Sequence, residues 1–177
     1  MFKKCLIGSL LVVTSLSGKS HDNHPSNSKT ASPKEVKAKT PYLKLTDDLQ
    51  RFAKKFIGIR YLSGGKATKG FDCSGFVNYV FAKFGMKVAH RSTDLFKLGY
   101  NLSPKEAMAG DLIFFRINPS ANKDVSHVGI VVGSDKKGLK FIHSATSKGV
   151  SFSYLNEKYY TTHFAGIRRV IDSLKDF

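Results

Sequence analysis

Cysteine is scarce in this chain: among 177 residues there are two, Cys5 and Cys73. Acidic residues are few as well, 13 against 29 lysines and arginines, which leaves a formal net charge of +16. No apolar run approaches the roughly 20 residues that a membrane-spanning helix needs. Each shortage excludes something. Cys5 lies in the short apolar run 5–13, behind the basic start Met1-Phe2-Lys3-Lys4, which is the layout of a secretory signal. Ser15 and Ser17 satisfy the small-x-small preference for cleavage after Ser17, and Cys5 would leave with the signal. A domain left with one thiol cannot build an internal disulfide, so it must rest on an ordinary apolar core. Compact zinc-ligand spacings, recognition-helix patterns and aromatic RNA-binding motifs are missing too. The expectation is therefore no metal, no cofactor and no nucleic-acid partner. The excess charge is scattered over Lys54, Lys55, Lys66, Lys69, Lys136, Lys137, Arg168 and Arg169, which suits nonspecific attraction to an anionic envelope surface.

Residues 19–40 are rich in Ser, Asn, Lys and Pro and almost devoid of apolar side chains, too few to repay ordering. The organisation expected is a signal peptide at 1–17, a disordered tether at 18–42 and one compact domain at 43–177, acting as a monomer. Leu16-Ser17-Gly18-Lys19 has the form of a bacterial lipoprotein box in which Lys19 stands where the lipid-bearing cysteine would be. The protein is expected to be exported, to the periplasm or cell envelope, with or without membrane association, or secreted.

What is present centres on Phe71-Asp72-Cys73-Ser74-Gly75-Phe76. Phe76, Val77, Val80, Phe81 and Phe84 recur at helical spacing and Gly85 follows, so Asp72 reads as the N-cap and Cys73 as the first helical residue. Free backbone N–H groups and the helix dipole favour a thiolate there, and a neighbouring imidazolium would favour it further. A lone cysteine is otherwise a small buried apolar residue. The cap position, together with His127 and His143 on later strand-like runs, favours a nucleophile.

Upstream, Thr46 is expected to cap a helix carrying Leu49, Phe52, Ala53, Phe56 and Ile57 on one face and ending at Gly58. Ser92 is expected to cap a short helix over 93–98, stopped by Gly99. Beyond it the period changes. Runs at 111–116, 127–132, 139–145, 150–155 and 164–171 alternate or are continuously apolar, with glycine-bearing turns between several of them. Strands joined so tightly pair antiparallel. The fold class is α+β, with N-terminal helices packed on a central antiparallel sheet of about five or six strands. No internal repeat is visible.

These motifs, in this order, resemble the NlpC/P60 cysteine peptidases, which cut the peptides of bacterial cell walls. The segment 71–77 resembles the family's nucleophile motif, 109–115 its next landmark and 126–133 its general-base strand. Residues 142–145 match its third catalytic segment, 164–170 its closing strand and 59–65 its tyrosine-plus-glycine loop. The resemblance implies a papain-like fold and a Cys73–His127–His143 triad. Cys73 attacks the carbonyl, His127 moves the proton, and His143 orients His127. By the same resemblance Tyr61 helps hold the oxyanion, although a tyrosine simply packed on the core would look alike. Arg91 would bind a carboxylate of the stem peptide unless it is a plain solvated arginine, and Ser126 would touch substrate. The implied function is hydrolysis of peptidoglycan stem peptides or free muropeptides, at the γ-D-glutamyl-diaminopimelate bond, through a thioester. An amidase or acyltransferase using the same thiol, and a noncatalytic wall-binding module, remain as alternatives.

Overall fold

The computed structural model describes residues 33–117 and 124–174. The expected signal peptide and residues 18–32 of the expected tether lie outside them. Helix α1, Pro33–Lys54, begins earlier than the sequence pattern predicts and runs through Pro41. Residues 33–42, read as the end of the tether, form its first turns; the segment 34–39 mixes Lys, Glu, Ala and Val, and Lys, Glu and Ala are good helix formers whatever their polarity. Thr46 is accordingly no cap. Its hydroxyl donates to the Leu43 carbonyl one turn back, at 3.1 Å, and its side chain is buried. Leu49 and Ala53 are fully buried on the expected face, whereas Ile57 lies 48% exposed beyond the end of the helix.

A two-stranded hairpin follows, β1 (Lys66–Ala67) with β2 (Gly70–Phe71), and leads directly into α2, Cys73–Ala82. Asp72 caps α2 as the sequence predicts: its backbone is extended, and its Oδ1 accepts from the Gly75 amide at 2.6 Å and from Ser74 Oγ at 3.1 Å. Phe76, Val77, Val80 and Phe81 are completely buried, each worth roughly 1.5–3 kcal/mol of apolar burial. Helix α3 is a single turn, Ser92–Leu95, with Arg91 rather than Ser92 at its N-cap position.

Six strands make one antiparallel sheet in the order β3-β8-β4-β5-β6-β7. They are β3 (Tyr100–Leu102), β4 (Leu112–Phe115), β5 (His127–Asp135), β6 (Gly138–Ala145), β7 (Gly149–Tyr154) and β8 (Phe164–Arg169). Five match the expected runs. The short edge strand β3 and the six-residue helix α4, Lys158–His163, carry too little periodicity to be read from sequence. Both faces of the sheet are covered. Leu112, Phe114, Val128, Ile130 and Ile142 join the core under α1 and α2, while Ile113, Phe115, Val131, Phe141 and Ile167 form a second layer on the other face. A two-pronged ion pair ties β8 to the residue before β4: Arg169 Nε and Nη2 each donate to Asp111 at 2.9 Å. Asp111, read from sequence as a turn or strand-start residue, is thus a buried anchor. No helix among the described residues is long and apolar enough to cross a membrane.

Candidate active site

Glycine lets helix α2 meet its supporting loop. A Cβ on Gly75 would stand 2.1 Å from the Gly65 carbonyl oxygen, and the same oxygen accepts from the Asp72 amide at 3.0 Å. The loop of residues 61–65 is thereby held against the first turn of α2. From the sheet side, Ser144 Oγ donates to the Phe71 carbonyl at 2.7 Å. Cys73 opens α2 with 9% of its surface exposed, its Sγ 4.0 Å from the Ser126 carbonyl. The ladder between β5 and β6 starts only at Ile130 and Ile142, so the backbone on both sides of His127 is open to the sulfur.

The ionisation of this thiol departs from the sequence expectation. Burial pushes the Cys73 thiol up and outweighs the amides of Val128, Ser74 and Cys73, which favour the thiolate; the Asp72 carboxylate adds to the upward shift. The helix terminus thus moderates a desolvation penalty without reversing it. At neutral pH the sulfur carries its proton.

His127 and His143 meet. His127 Nε2 lies 2.7 Å from His143 Nδ1, with the rings nearly perpendicular and both side chains buried. Register explains the meeting: Ile130 pairs with Ile142, so the next pair inward sets Gly129 opposite His143 and leaves His127 diagonal to it on the same face. The missing side chain of Gly129 makes the room, because a Cβ there would stand 3.1 Å from His143 Cβ. Burial holds both imidazoles neutral, His127 down to about 4 and His143 to about 3, the latter lowered further by His127 and Lys148 nearby, which oppose a second positive charge. With Nε2 taken by His143, Nδ1 is the nitrogen of His127 left for chemistry. Among the described residues no hydrogen bond joins Cys73 to His127; the thiol bonds instead to the carbonyl one residue before it.

Tyr61, Arg91 and Ser126 line one cleft with Cys73, about 370 Å³ in volume. The Tyr61 phenol is pushed up by burial and then by Cys73 and Asp72 beside it, which oppose a phenolate, so it remains an O–H donor. Arg91 is exposed; its carbonyl accepts from the Asp94 and Leu95 amides, while no hydrogen bond or ion pair of its guanidinium is present among the described residues. The side chain of Ser126 serves the loop, its Oγ accepting from the Ile117 amide at 2.9 Å, and its carbonyl is what meets the thiol. A second cavity, about 380 Å³, lies on the histidine side and includes His127, His143, Lys148, Ser153 and Tyr160 in its wall.

Sequence reasoning missed four contributors. His90 shares the wall of the first cleft, although no motif singles it out. Gly129 is invisible until the β5–β6 register is known. Ser153 Oγ and Tyr160 Oη each lie 3.2 Å from His143 Nε2. Ser153 could have been found by alternation, since a hairpin pairing His143 with Ser151 puts it on the histidine face. No sequence signal marks Tyr160, which arrives on the unpredicted α4.

The NlpC/P60 family model matches residues 58–169, which hold every side chain of the site. The chain is 36% identical over 115 residues to an Escherichia coli protein named murein DD-endopeptidase MepS/murein LD-carboxypeptidase, covering 64% of this chain and 57% of that one. It is 33% identical over 124 residues to a Bacillus subtilis γ-D-glutamyl-L-lysine dipeptidyl-peptidase, covering 70% of this chain and 40% of that one. A crystal structure of an NlpC/P60 family protein from Bacillus cereus superposes with a TM-score of 0.64 at 30% identity, over 71% of this chain and 40% of the other. The chain therefore spans less than two thirds of the length of these relatives. A thiol at the mouth of a helix, a histidine pair across two strands and a match covering most of the chain place this protein in the NlpC/P60 family.

Proposed function

We propose that this protein is an exported cysteine peptidase that hydrolyses peptidoglycan stem peptides, cleaving after γ-D-glutamate, before diaminopimelate. The observation that carries the reading is the 2.7 Å contact between His127 Nε2 and His143 Nδ1, which leaves His127 Nδ1 free on the strand segment that Cys73 abuts. Both reacting groups rest neutral, so proton transfer accompanies attack. Attack requires the thiol to turn from the Ser126 carbonyl toward His127 Nδ1. As Sγ bonds to the carbonyl carbon, Nδ1 takes its proton and the oxyanion faces the Tyr61 O–H and the first amides of α2. Collapse releases the amine, protonated by His127, and leaves a thioester. Water activated by the same nitrogen then frees the acid and restores the thiol.

The two cavities on either side of the reacting groups suit the two halves of a peptide, the acyl half beside Arg91 and the departing amine on the histidine side. Arg91 can grip a carboxylate through two parallel hydrogen bonds, and stem peptides carry several carboxylates. The Bacillus subtilis relative, named for a γ-D-glutamyl-L-lysine bond, supports a cut after γ-D-glutamate. The name of the Escherichia coli relative favours a second reading, scission of a D,D bond in cross-linked stems. Mass spectrometry of defined monomeric and cross-linked muropeptides, treated with the protein and with Cys73→Ala, separates the two. A cut on the carboxyl side of D-glutamate, absent with Cys73→Ala, is expected. Monomers released from cross-linked substrate alone would establish the second reading, and identical products from Cys73→Ala would refute the nucleophile.

A further inference from the structure

His143 Nε2 is the outer end of the histidine pair, and two hydroxyl oxygens meet it there: Ser153 Oγ and Tyr160 Oη, each at 3.2 Å. A neutral imidazole holds one N–H and one lone pair, so the contact between His127 and His143 has two arrangements. In the first, His127 Nε2–H donates to His143 Nδ1, and His143 Nε2–H donates outward to the hydroxyl oxygens. His127 then keeps a lone pair on Nδ1. In the second, every proton is displaced by one site: a hydroxyl donates to His143 Nε2, and His143 Nδ1–H donates to His127 Nε2. His127 Nδ1 then carries a proton and cannot receive another.

Only the first arrangement can take a proton from the thiol. It also accommodates the product of that transfer unchanged, because an imidazolium at His127 still needs an acceptor at Nε2 and His143 Nδ1 already supplies it. Which arrangement prevails depends on whether the hydroxyls accept or donate.

We propose that Ser153 and Tyr160 are positioning residues that accept the Nε2–H of His143 and so hold the lone pair of His127 on Nδ1. The inference deepens the proposed function and rests on its assignment of Cys73 as nucleophile and His127 as base. Its support is geometric. Phe141 pairs with Ser153 and His143 with Ser151, so Ser153 stands diagonal to His143 on the same face of the sheet, and it is buried. Tyr160 is fixed edge-on to the His143 ring, with centroids 5.4 Å apart at 89°, and packs against Phe115 and Phe141. Tyr160 is only part-buried, so solvent can take its hydrogen and leave its oxygen to accept from His143.

Nitrogen NMR of histidine-labelled full-length protein at neutral pH reads the tautomers directly. In the wild type the proton is expected on Nε2 of both rings. Double substitution, Ser153→Ala with Tyr160→Phe, removes both acceptors, and the protons are expected to move to Nδ1 of both rings. Turnover of a cleaved muropeptide should then fall by about 10²-fold in kcat, as for loss of a general base. Ser153→Thr keeps the oxygen and should keep the wild-type tautomers. A wild-type His127 protonated on Nδ1 overturns the proposal, whether or not the double variant folds; so do unchanged tautomers in a folded double variant. Failure to cleave any muropeptide, with the expected wild-type tautomers, would instead refute the proposed function.

Discussion

Alanine at Gly129 should damage catalysis more than folding, and the distances say why. The added Cβ would stand 2.9 Å from Phe141 Cδ2, 3.1 Å from His143 Cβ and 3.1 Å from the Ile142 carbonyl oxygen. Carbon atoms pack at about 3.5–4.0 Å, so its neighbours must retreat by roughly half an ångström or more. Strand β5 is held by β4 on one side and β6 on the other, so the side chains of β6 yield first. His143 has little slack: its 2.7 Å contact with His127 leaves hydrogen-bond range beyond about 3.2 Å. Overpacking of this kind costs about 1–3 kcal/mol, against a typical domain stability of about 5–15 kcal/mol, so most molecules remain folded. A misplacement near 1 Å in catalytic groups costs about 10²-fold in rate. Steady-state cleavage of a muropeptide, beside a urea titration of the same preparation, checks both numbers. Gly129→Ala with wild-type kcat and measurably reduced stability would refute the claim that the histidine contact orients the base.

Three further outcomes follow from the electrostatics and the caps. Burial keeps both histidines neutral in the fold, while the unfolded chain binds their protons below about pH 6.5. The stability from the neutral pair is therefore complete above about pH 6.5 and lost as pH falls toward about 4 for His127 and about 3 for His143, at about 1.4 kcal/mol per pH unit for each ring. Urea midpoints measured across that window check it, and a His127→Asn/His143→Asn double variant with the same acid slope would contradict it. Asp72→Asn keeps a capping oxygen but removes the negative charge that raises the Cys73 pKa. Its iodoacetamide alkylation profile should shift to lower pH at nearly unchanged stability; a shift to higher pH would be the opposite of the reasoning. Arg169→Met strands the buried Asp111 carboxylate and should cost about 3–5 kcal/mol in urea unfolding, with a loss under about 1 kcal/mol counting against the pair.

The parts legible in the sequence are those governed by local chemistry. Asp72 as cap, Cys73 as first helical residue and the five longer strands follow from residue type and period, and they stand as expected. The start of α1 is not legible because polarity alone points to disorder there, whereas Lys, Glu and Ala favour a helix regardless of what they bury. Gly129, Ser153 and Tyr160 are of another kind. Each acts only through a partner set by register or by a short helix, and a slip of one residue in β6 would turn His143 to the opposite face. Asp111 belongs with them, since its partner Arg169 lies on the last strand.

Ionisation of the thiol shows how local reading and tertiary context diverge. A helix N-terminus and a nearby imidazole both favour the thiolate, and both can be inferred from a string of letters. Desolvation cannot, because it depends on how many groups crowd the sulfur once α2 packs on β5 and β6. Here burial is the largest influence on Cys73 and the first cause for both histidines, and in each case it favours the neutral form. On the proposed mechanism, a site without a preformed ion pair gains little from stored charge. The rate would then depend on delivering a lone pair to the thiol at the moment of attack, which makes orientation of His127 the limiting asset. On this account Gly129, His143, Ser153 and Tyr160, none of which needs to touch substrate to orient the base, govern turnover as strongly as the charged residues that face the cleft.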